Sequence, residues 1–249
     1  MHHFFAEPSQ IAGDTVCIRG ADVNHMKNVL RIRPGEEILL SDGEGTDLRC
    51  RVESLEAEQV TARVLERFPA RGELPARLWL FQGLPKSDKM EVIIQKAVEL
   101  GAAAIVPVAT KNAVVKLDKR RGEAKLSRWQ AIAESAAKQS KRSRLPRVRE
   151  IMSFREALAF VEQENFALRL IPYEAAEGME ASRRAFSLAA PGMDIAVFIG
   201  PEGGFDEEEI RLAQEKGLCP ISLGSRILRT ETAGPAVLSL LMMRLEGGI

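Results

Sequence analysis

The chain has 249 residues, 45% hydrophobic and 28% charged, with 35 basic residues balancing 35 acidic ones, the composition of a soluble protein of one or two domains. No apolar run approaches the roughly 18 residues needed to cross a bilayer, and Met1-His-His-Phe-Phe carries neither a basic nor an apolar signal region, so a cytoplasmic protein without membrane association is expected. Cys17, Cys50 and Cys219 are odd in number and far apart, and His2, His3 and His25 have no ligand spacing, which argues against disulfides and a metal site.

The first 70 residues read as mostly β. Thr15–Arg19, Glu37–Ser41, Asp47–Val52 and Gln59–Leu65 alternate or run apolar at strand length. Asp42-Gly-Glu-Gly45 is a turn signal between two of them. A short helix from a capping Asp22 to Leu30 interrupts the strands and carries His25 and Lys27, with Arg31 and Arg33 just beyond. The pattern predicts a small barrel-like domain suited to carrying RNA. Phe68-Pro-Ala-Arg-Gly-Glu-Leu-Pro75 then suits a linker, and the expected domains are 1–70 and 76–249.

Beyond the linker the pattern becomes βα. Leu78–Gln82 is a strand, and Asp88-Lys-Met-Glu91 has capping-box spacing before a helix that Gly101 ends. Ala104–Val108 is a strand and about Leu126 to Ser140 a helix. Leu168–Pro172, Ile195–Ile199 and Ile221–Leu223 supply more strands, and an apolar helix spans 234–245. Such alternation predicts a mostly parallel sheet covered on both faces.

Two loops in this half carry the chemistry. Ile195–Ile199 runs into Gly200-Pro-Glu-Gly-Gly204, and Asp206 then caps an acidic first helical turn. Leu223-Gly-Ser-Arg-Ile-Leu228 leads to Arg229-Thr-Glu-Thr-Ala233. Glycine lets a ligand approach the main chain, and both loops follow strands of the predicted sheet, the edge at which open α/β sheets bind ligands. The spacing is neither a dinucleotide fingerprint nor a phosphate loop. The balanced net charge hides an asymmetry: Lys111 to Arg149 holds 13 Lys/Arg against 3 Asp/Glu. Charge at that density attracts polyanions.

GPEGGF followed by SLGxRILRTETA resembles the RsmE family of ribosomal RNA methyltransferases. Other segments resemble the same family in the same order. They are His3-Phe-Phe, Asp22-Val-Asn-His25 with Val29-Leu-Arg31, Lys86-Ser-Asp-Lys-Met-Glu91 with Gln95–Gly101, and Gln139-Ser-Lys-Arg142 before Leu145-Pro146. Thr110-Lys-Asn-Ala113, Lys141 and Ser225 depart from its usual residues. The resemblance implies an α/β fold of the SPOUT type. That fold is a parallel sheet with a C-terminal trefoil knot, here preceded by a PUA-like β-barrel. It implies methylation of N3 of a uridine in 16S rRNA, with the 16S rRNA or the small ribosomal subunit as partner, S-adenosylmethionine as cofactor, and a homodimer.

On that basis Ile171, Pro172, Gly200, Pro201, Glu202, Gly203, Gly204, Leu223, Gly224, Ile227, Leu228, Thr230 and Ala233 are expected to hold the cofactor. Uracil N3 attacks only after losing its imide proton, so the site needs a base or a cation. Arg229 is assigned to anion stabilisation or a phosphate contact, and Thr230 and Glu231 to the cofactor or to proton removal; Thr230 could equally cap the final helix. His25, Lys27, Arg31, Lys138, Gln139, Lys141, Arg142 and Arg144 are assigned to RNA. Three alternatives stand beside this reading: a knotted methyltransferase acting on another RNA, a non-catalytic RNA-binding factor, and a nucleotide hydrolase. The last lacks a lysine in the glycine loop.

Overall fold

The computed structural model describes residues 1–70, 72–113, 119–176 and 178–247. Of the sequence features above, Arg71 in the linker and Lys116 and Asp118 in the basic stretch lie outside these residues, as do the side chains of Lys119, Arg120 and Arg121. The chain forms two compact units, Met1–Glu73 with Ala137–Leu145, and Leu74–Ala136 with Pro146–Ile249.

The first unit is a six-stranded sheet of β1 (His3–Phe5), β2 (Ile11–Ala12), β3 (Thr15–Arg19), β4 (Glu37–Ser41), β5 (Thr46–Leu55) and β6 (Gln59–Pro69). Their order is β1-β4-β5-β6-β3-β2, antiparallel except for β1 beside β4. Period-2 burial along β3, β4 and β5 gathers Val16, Ile18, Ile38, Leu40, Leu48, Cys50 and Val52 into one core. Between β3 and β4, α1 (Ala21–Asn24) continues as a π-helical turn over His25–Val29. Its N-cap is Gly20, and not Asp22 as the sequence suggested. The Asp22 carboxylate accepts from Lys138 Nζ at 2.8 Å instead.

Residues 137–145 group with this unit, so the expected contiguous span 76–249 is interrupted. The reason is electrostatic. Glu73 accepts from the Arg142 guanidinium at 2.6 Å and from the Ser143 and Arg144 amides at 3.0 Å. The Ser143 hydroxyl donates to buried Asp47 at 2.7 Å. Asp47 also accepts from Ser41, to which the His3 ring nitrogen Nε2 lies 2.7 Å away.

The second unit is a parallel sheet of β7 (Arg77–Gly83), β8 (Ala102–Ala109), β9 (Arg147–Val148), β10 (Met152–Ser153), β11 (Leu168–Pro172), β12 (Asp194–Ile199) and β13 (Cys219–Ile221). The order is β10-β8-β7-β12-β11-β13, with β9 on the same edge of β8 as β10. The helices are α2 (Lys89–Glu99), α3 (Lys119–Gln139, which belongs to this unit as far as Ala136), α4 (Phe154–Gln163), α5 (Glu180–Ser187), α6 (Glu207–Glu215) and α7 (Thr230–Leu245). Alternate strand residues serve opposite faces. Phe81 and Phe198, paired in register, stack with ring centroids 4.4 Å apart and pack with α4 and α6. Their neighbours Leu80 and Ile199 face α7 at Gly234, where a Cβ would meet them at ordinary contact distance, 3.6 Å from Leu80 and 3.7 Å from Ile199.

Candidate active site

Both glycine loops leave the carboxyl ends of their strands, β12 and β13, as expected. The strand before the second ends at Ile221 rather than Leu223, which frees Ser222–Leu228 for the loop. In the first loop the Gly204 amide bonds back to the Pro201 carbonyl at 3.0 Å, and Gly204 sits at φ +65°. The loop presses on β7: a Cβ at Gly83 would lie 2.7 Å from Pro201. Asp206 caps α6 as predicted, accepting from the Glu208 amide at 3.1 Å, while Glu209 accepts from the Asp206 amide at 3.0 Å. The Lys111 ammonium beside Asp206, followed by the Glu208 amide, holds the Asp206 carboxyl below the ordinary range. The Asn112 amide donates to the Gly203 carbonyl at 3.1 Å, pinning the loop from the other side.

The α7 helix starts at Thr230, four residues earlier than the apolar pattern indicates, with Arg229 as its N-cap. Thr230 is therefore not the cap. Its hydroxyl donates to the Gly200 carbonyl at 2.7 Å and accepts from the buried Gln82 amide at 2.9 Å. One hydroxyl thus joins β7, the first loop and the start of α7.

Between the loops lies a cleft of about 850 Å³, within the roughly 300–1,000 Å³ range of small-molecule sites. Pro172, Gly200, Pro201, Glu202, Gly203, Gly204, Leu223, Gly224, Ile227, Leu228, Thr230 and Ala233 line it, together with Arg229. Ile171 does not. It is the next residue along β11 from Pro172, so the pleat turns it into the core beside Phe198. Lining residues that the sequence did not assign to the cofactor include Tyr173, Met179, Phe205, Ser222 and, above all, Lys89.

Lys89 opens α2 after Asp88, whose side chain makes no capping bond despite the capping-box spacing. The Lys89 Nζ lies 3.1 Å from Glu202 of the first loop and 3.2 Å from Glu231 of α7. The second contact is a close charge pair without hydrogen-bond alignment. Glu231, supported first by its own backbone N–H at the start of α7 and then by Lys89, is held below the ordinary carboxylate range. Partial burial pushes Glu202 up, but its own amide, Lys89 and the Lys86 amide outweigh this and hold it low. Both groups are carboxylates near neutral pH.

The residues assigned to RNA lie in the first unit. His25, Arg31, Gln139, Lys141 and Arg144 are exposed. Lys27 is half-buried, donating to the Glu56 carbonyl, and Lys138 is paired with Asp22. Arg142 departs from its assignment: its side chain is 4% exposed and bound to Glu73, so it serves the fold of the unit. Among the described residues no His, Cys, Asp or Glu group could hold a metal, and no helix is long and apolar enough to cross a membrane.

Paired glycine loops on the carboxyl edge of a parallel sheet enclose a small-molecule pocket, in a chain that also carries a β-rich unit. A family model described as an RNA methyltransferase domain matches residues 72–242, and one described as an RNA methyltransferase PUA domain matches 18–65. Ribosomal RNA small subunit methyltransferase E of Bacillus subtilis is 36% identical over 93% of this chain and 91% of its own length. The enzyme of that name from Synechocystis is 35% identical over 96% of this chain and 76% of its own. The crystal structure of its Neisseria gonorrhoeae namesake bound to S-adenosylmethionine is 34% identical, with a TM-score of 0.83 over 98% of this chain and 97% of that one. The chain belongs to the ribosomal RNA small subunit methyltransferase E family.

Proposed function

We propose that this chain transfers the methyl group of S-adenosylmethionine to N3 of a uridine in the 16S rRNA of the small ribosomal subunit. The observation that carries the reading is the convergence of both glycine loops on one pocket, with Lys89, Arg229 and Glu231 beside it. The residues fit the cofactor. Pro172, Leu223, Leu228 and Ala233 offer an apolar slot for adenine, and Ile227 leaves an aliphatic side chain 84% exposed at the wall. Glu202, on the wall, supplies negative charge that suits a sulfonium.

When bound, S-adenosylmethionine supplies a methyl already activated on sulfur. The protein's task is to orient the reactants and favour the uracil anion. Arg229, exposed at the N-cap of α7, is the cation for that anion. Glu231, paired with Lys89 and held as a carboxylate, serves the pocket, and the imide proton leaves to water or to a group of the RNA.

His25, Arg31, Gln139, Lys141 and Arg144 bind the RNA in this reading, with Lys27 and Lys138 held nearby. A homodimer suits Val92 on α2 and Leu240 and Met243 on α7, large apolar side chains left exposed on two helices that pack together. The site of action is the cytoplasm, where ribosomal subunits are assembled. The test is methylation of small subunits from a strain lacking this protein, followed by mapping of the modified base. A labelled methyl at uridine N3 is expected; no transfer, or transfer to another position, sinks the reading.

A further inference from the structure

We infer that Lys89 is a positioning residue of the cofactor pocket, its ammonium holding the first glycine loop and the start of α7 together by serving Glu202 and Glu231 at once. The inference rests on the reading of the pocket as the S-adenosylmethionine site.

Three segments meet at this nitrogen: the first turn of α2, the loop after β12 and the first turn of α7. Glu202 is fixed further by the Lys86 amide at 3.1 Å, so both ends of the α2 entry grip that loop. The Arg229 guanidinium adds a weaker attraction for Glu231. The other acid on this turn of α2, Glu91, is taken by Arg128 at 2.8 Å. Lys89 is thus the cation that Glu202 and Glu231 share. Its side chain and theirs are each about one-quarter to one-third exposed, so solvent screens the pairs only in part.

The arrangement has a consequence that an ordinary surface ion pair lacks. Both carboxylates lie within 3.2 Å of one nitrogen. Without that charge they become two neighbouring anions, which repel and draw the loops apart, and one of them then takes up a proton more readily than before. Loss of Lys89 should therefore weaken cofactor binding most where both groups are ionised, and a proton should partly replace the missing ammonium at lower pH.

The test is calorimetric titration of S-adenosylmethionine into the whole protein and its Lys89→Met, Lys89→Arg and Lys89→Met/Glu231→Gln variants, each at about pH 7.5 and about pH 5.5. Expected is a Kd about ten-fold weaker for Lys89→Met at the higher pH, a smaller deficit at the lower pH, and recovery in Lys89→Arg and in the double variant. The wild type should change little between the two. An unchanged or tighter Kd in Lys89→Met overturns the inference, as does a deficit independent of pH that Glu231→Gln does not relieve. Should Lys89→Met alone fail to fold, the double variant decides: binding within a few-fold of wild type supports the shared-cation role, and lost binding removes it. A wild type that gives no heat with S-adenosylmethionine would instead overturn the functional reading beneath it.

Discussion

The Thr230 hydroxyl donates to the Gly200 carbonyl at 2.7 Å while accepting from the Gln82 amide at 2.9 Å. Gln82 is wholly buried and Thr230 nearly so, so each bond forms out of water. Thr230→Val keeps the shape and removes both bonds, leaving the buried Gln82 amide only the Gly83 carbonyl at 3.0 Å and the Gly200 carbonyl without its hydroxyl donor. A loss of about 2 kcal/mol in denaturant unfolding is expected, together with weaker S-adenosylmethionine binding in calorimetry. Thr230→Ser should restore most of both. A valine variant with wild-type stability and affinity would show that the hydroxyl is dispensable as a loop tie.

A tighter constraint acts one residue beyond Gln82. A methyl at Gly83 would lie 2.7 Å from the Pro201 backbone nitrogen and ring, where backbone rather than a flexible side chain must give way. Gly83→Ala should cost about 1–3 kcal/mol and displace the first glycine loop. Lower cofactor affinity at full secondary-structure content by circular dichroism is the expected signature. Native affinity in the alanine variant would contradict it.

These contacts mark the limit of what the sequence reveals. Glu37–Ser41 and Leu168–Pro172 fold as strands at their expected ends because period and β-propensity are local signals. The glycine loops are legible for the same reason, since glycine, proline and the Asp206 cap are read within a few residues of one another. Lys89 gives no such signal: its partners Glu202 and Glu231 are more than a hundred residues away, and its capping-box setting points to an ordinary helix start. Ile171 lies in the core and not at the pocket because apolar character alone does not tell which face of β11 a residue serves. The basic segment misled in part, because charge reads as surface until a partner such as Glu73 becomes visible in the fold.

Arg142 and Glu73 form an ion pair at 2.6 Å. The guanidinium is nearly sealed from water and the carboxylate also serves two backbone amides. Removing one member of a buried pair strands the other, so Arg142→Ala should destabilise the protein by about 3 kcal/mol. The measurement is denaturant unfolding by circular dichroism. An Arg142→Ala protein of normal stability that loses only RNA affinity would return this residue to the RNA-binding surface.

Acid sensitivity follows from carboxyls held low. Partial burial pushes Asp42 up, but the amides of Thr46, Glu44 and Gly45 outweigh it; Glu156 is lowered by the Ser153 hydroxyl and amide, and Asp206 by Lys111 and the Glu208 amide. A carboxyl with a depressed folded pKa contributes stability that is complete above its unfolded value, 3.8 for Asp and 4.5 for Glu, and is lost as pH falls through the folded one. The unfolding midpoint should be insensitive to these groups between about pH 8 and about pH 5.5 and should fall below about pH 4.5. A midpoint that stays level to about pH 3 would mean that these bonds contribute little.

Lys141 and Arg144 flank the buried Arg142 and are exposed, so their charges can be reversed without entering the Glu73 network; the Arg144 contact with Glu73 uses its backbone amide alone. If this segment meets RNA phosphates, Lys141→Glu with Arg144→Glu should weaken binding of a small-subunit rRNA fragment at low salt by at least about ten-fold. The slope of log affinity against log salt should become shallower by about one for each phosphate that the reversed side chains no longer neutralise. The thermal midpoint should hold, in contrast to Arg142→Ala. Affinity measured by filter binding across a salt series separates the cases: an unchanged slope with unchanged affinity removes this segment from the RNA interface and leaves the surface around His25 and Arg31 to carry it.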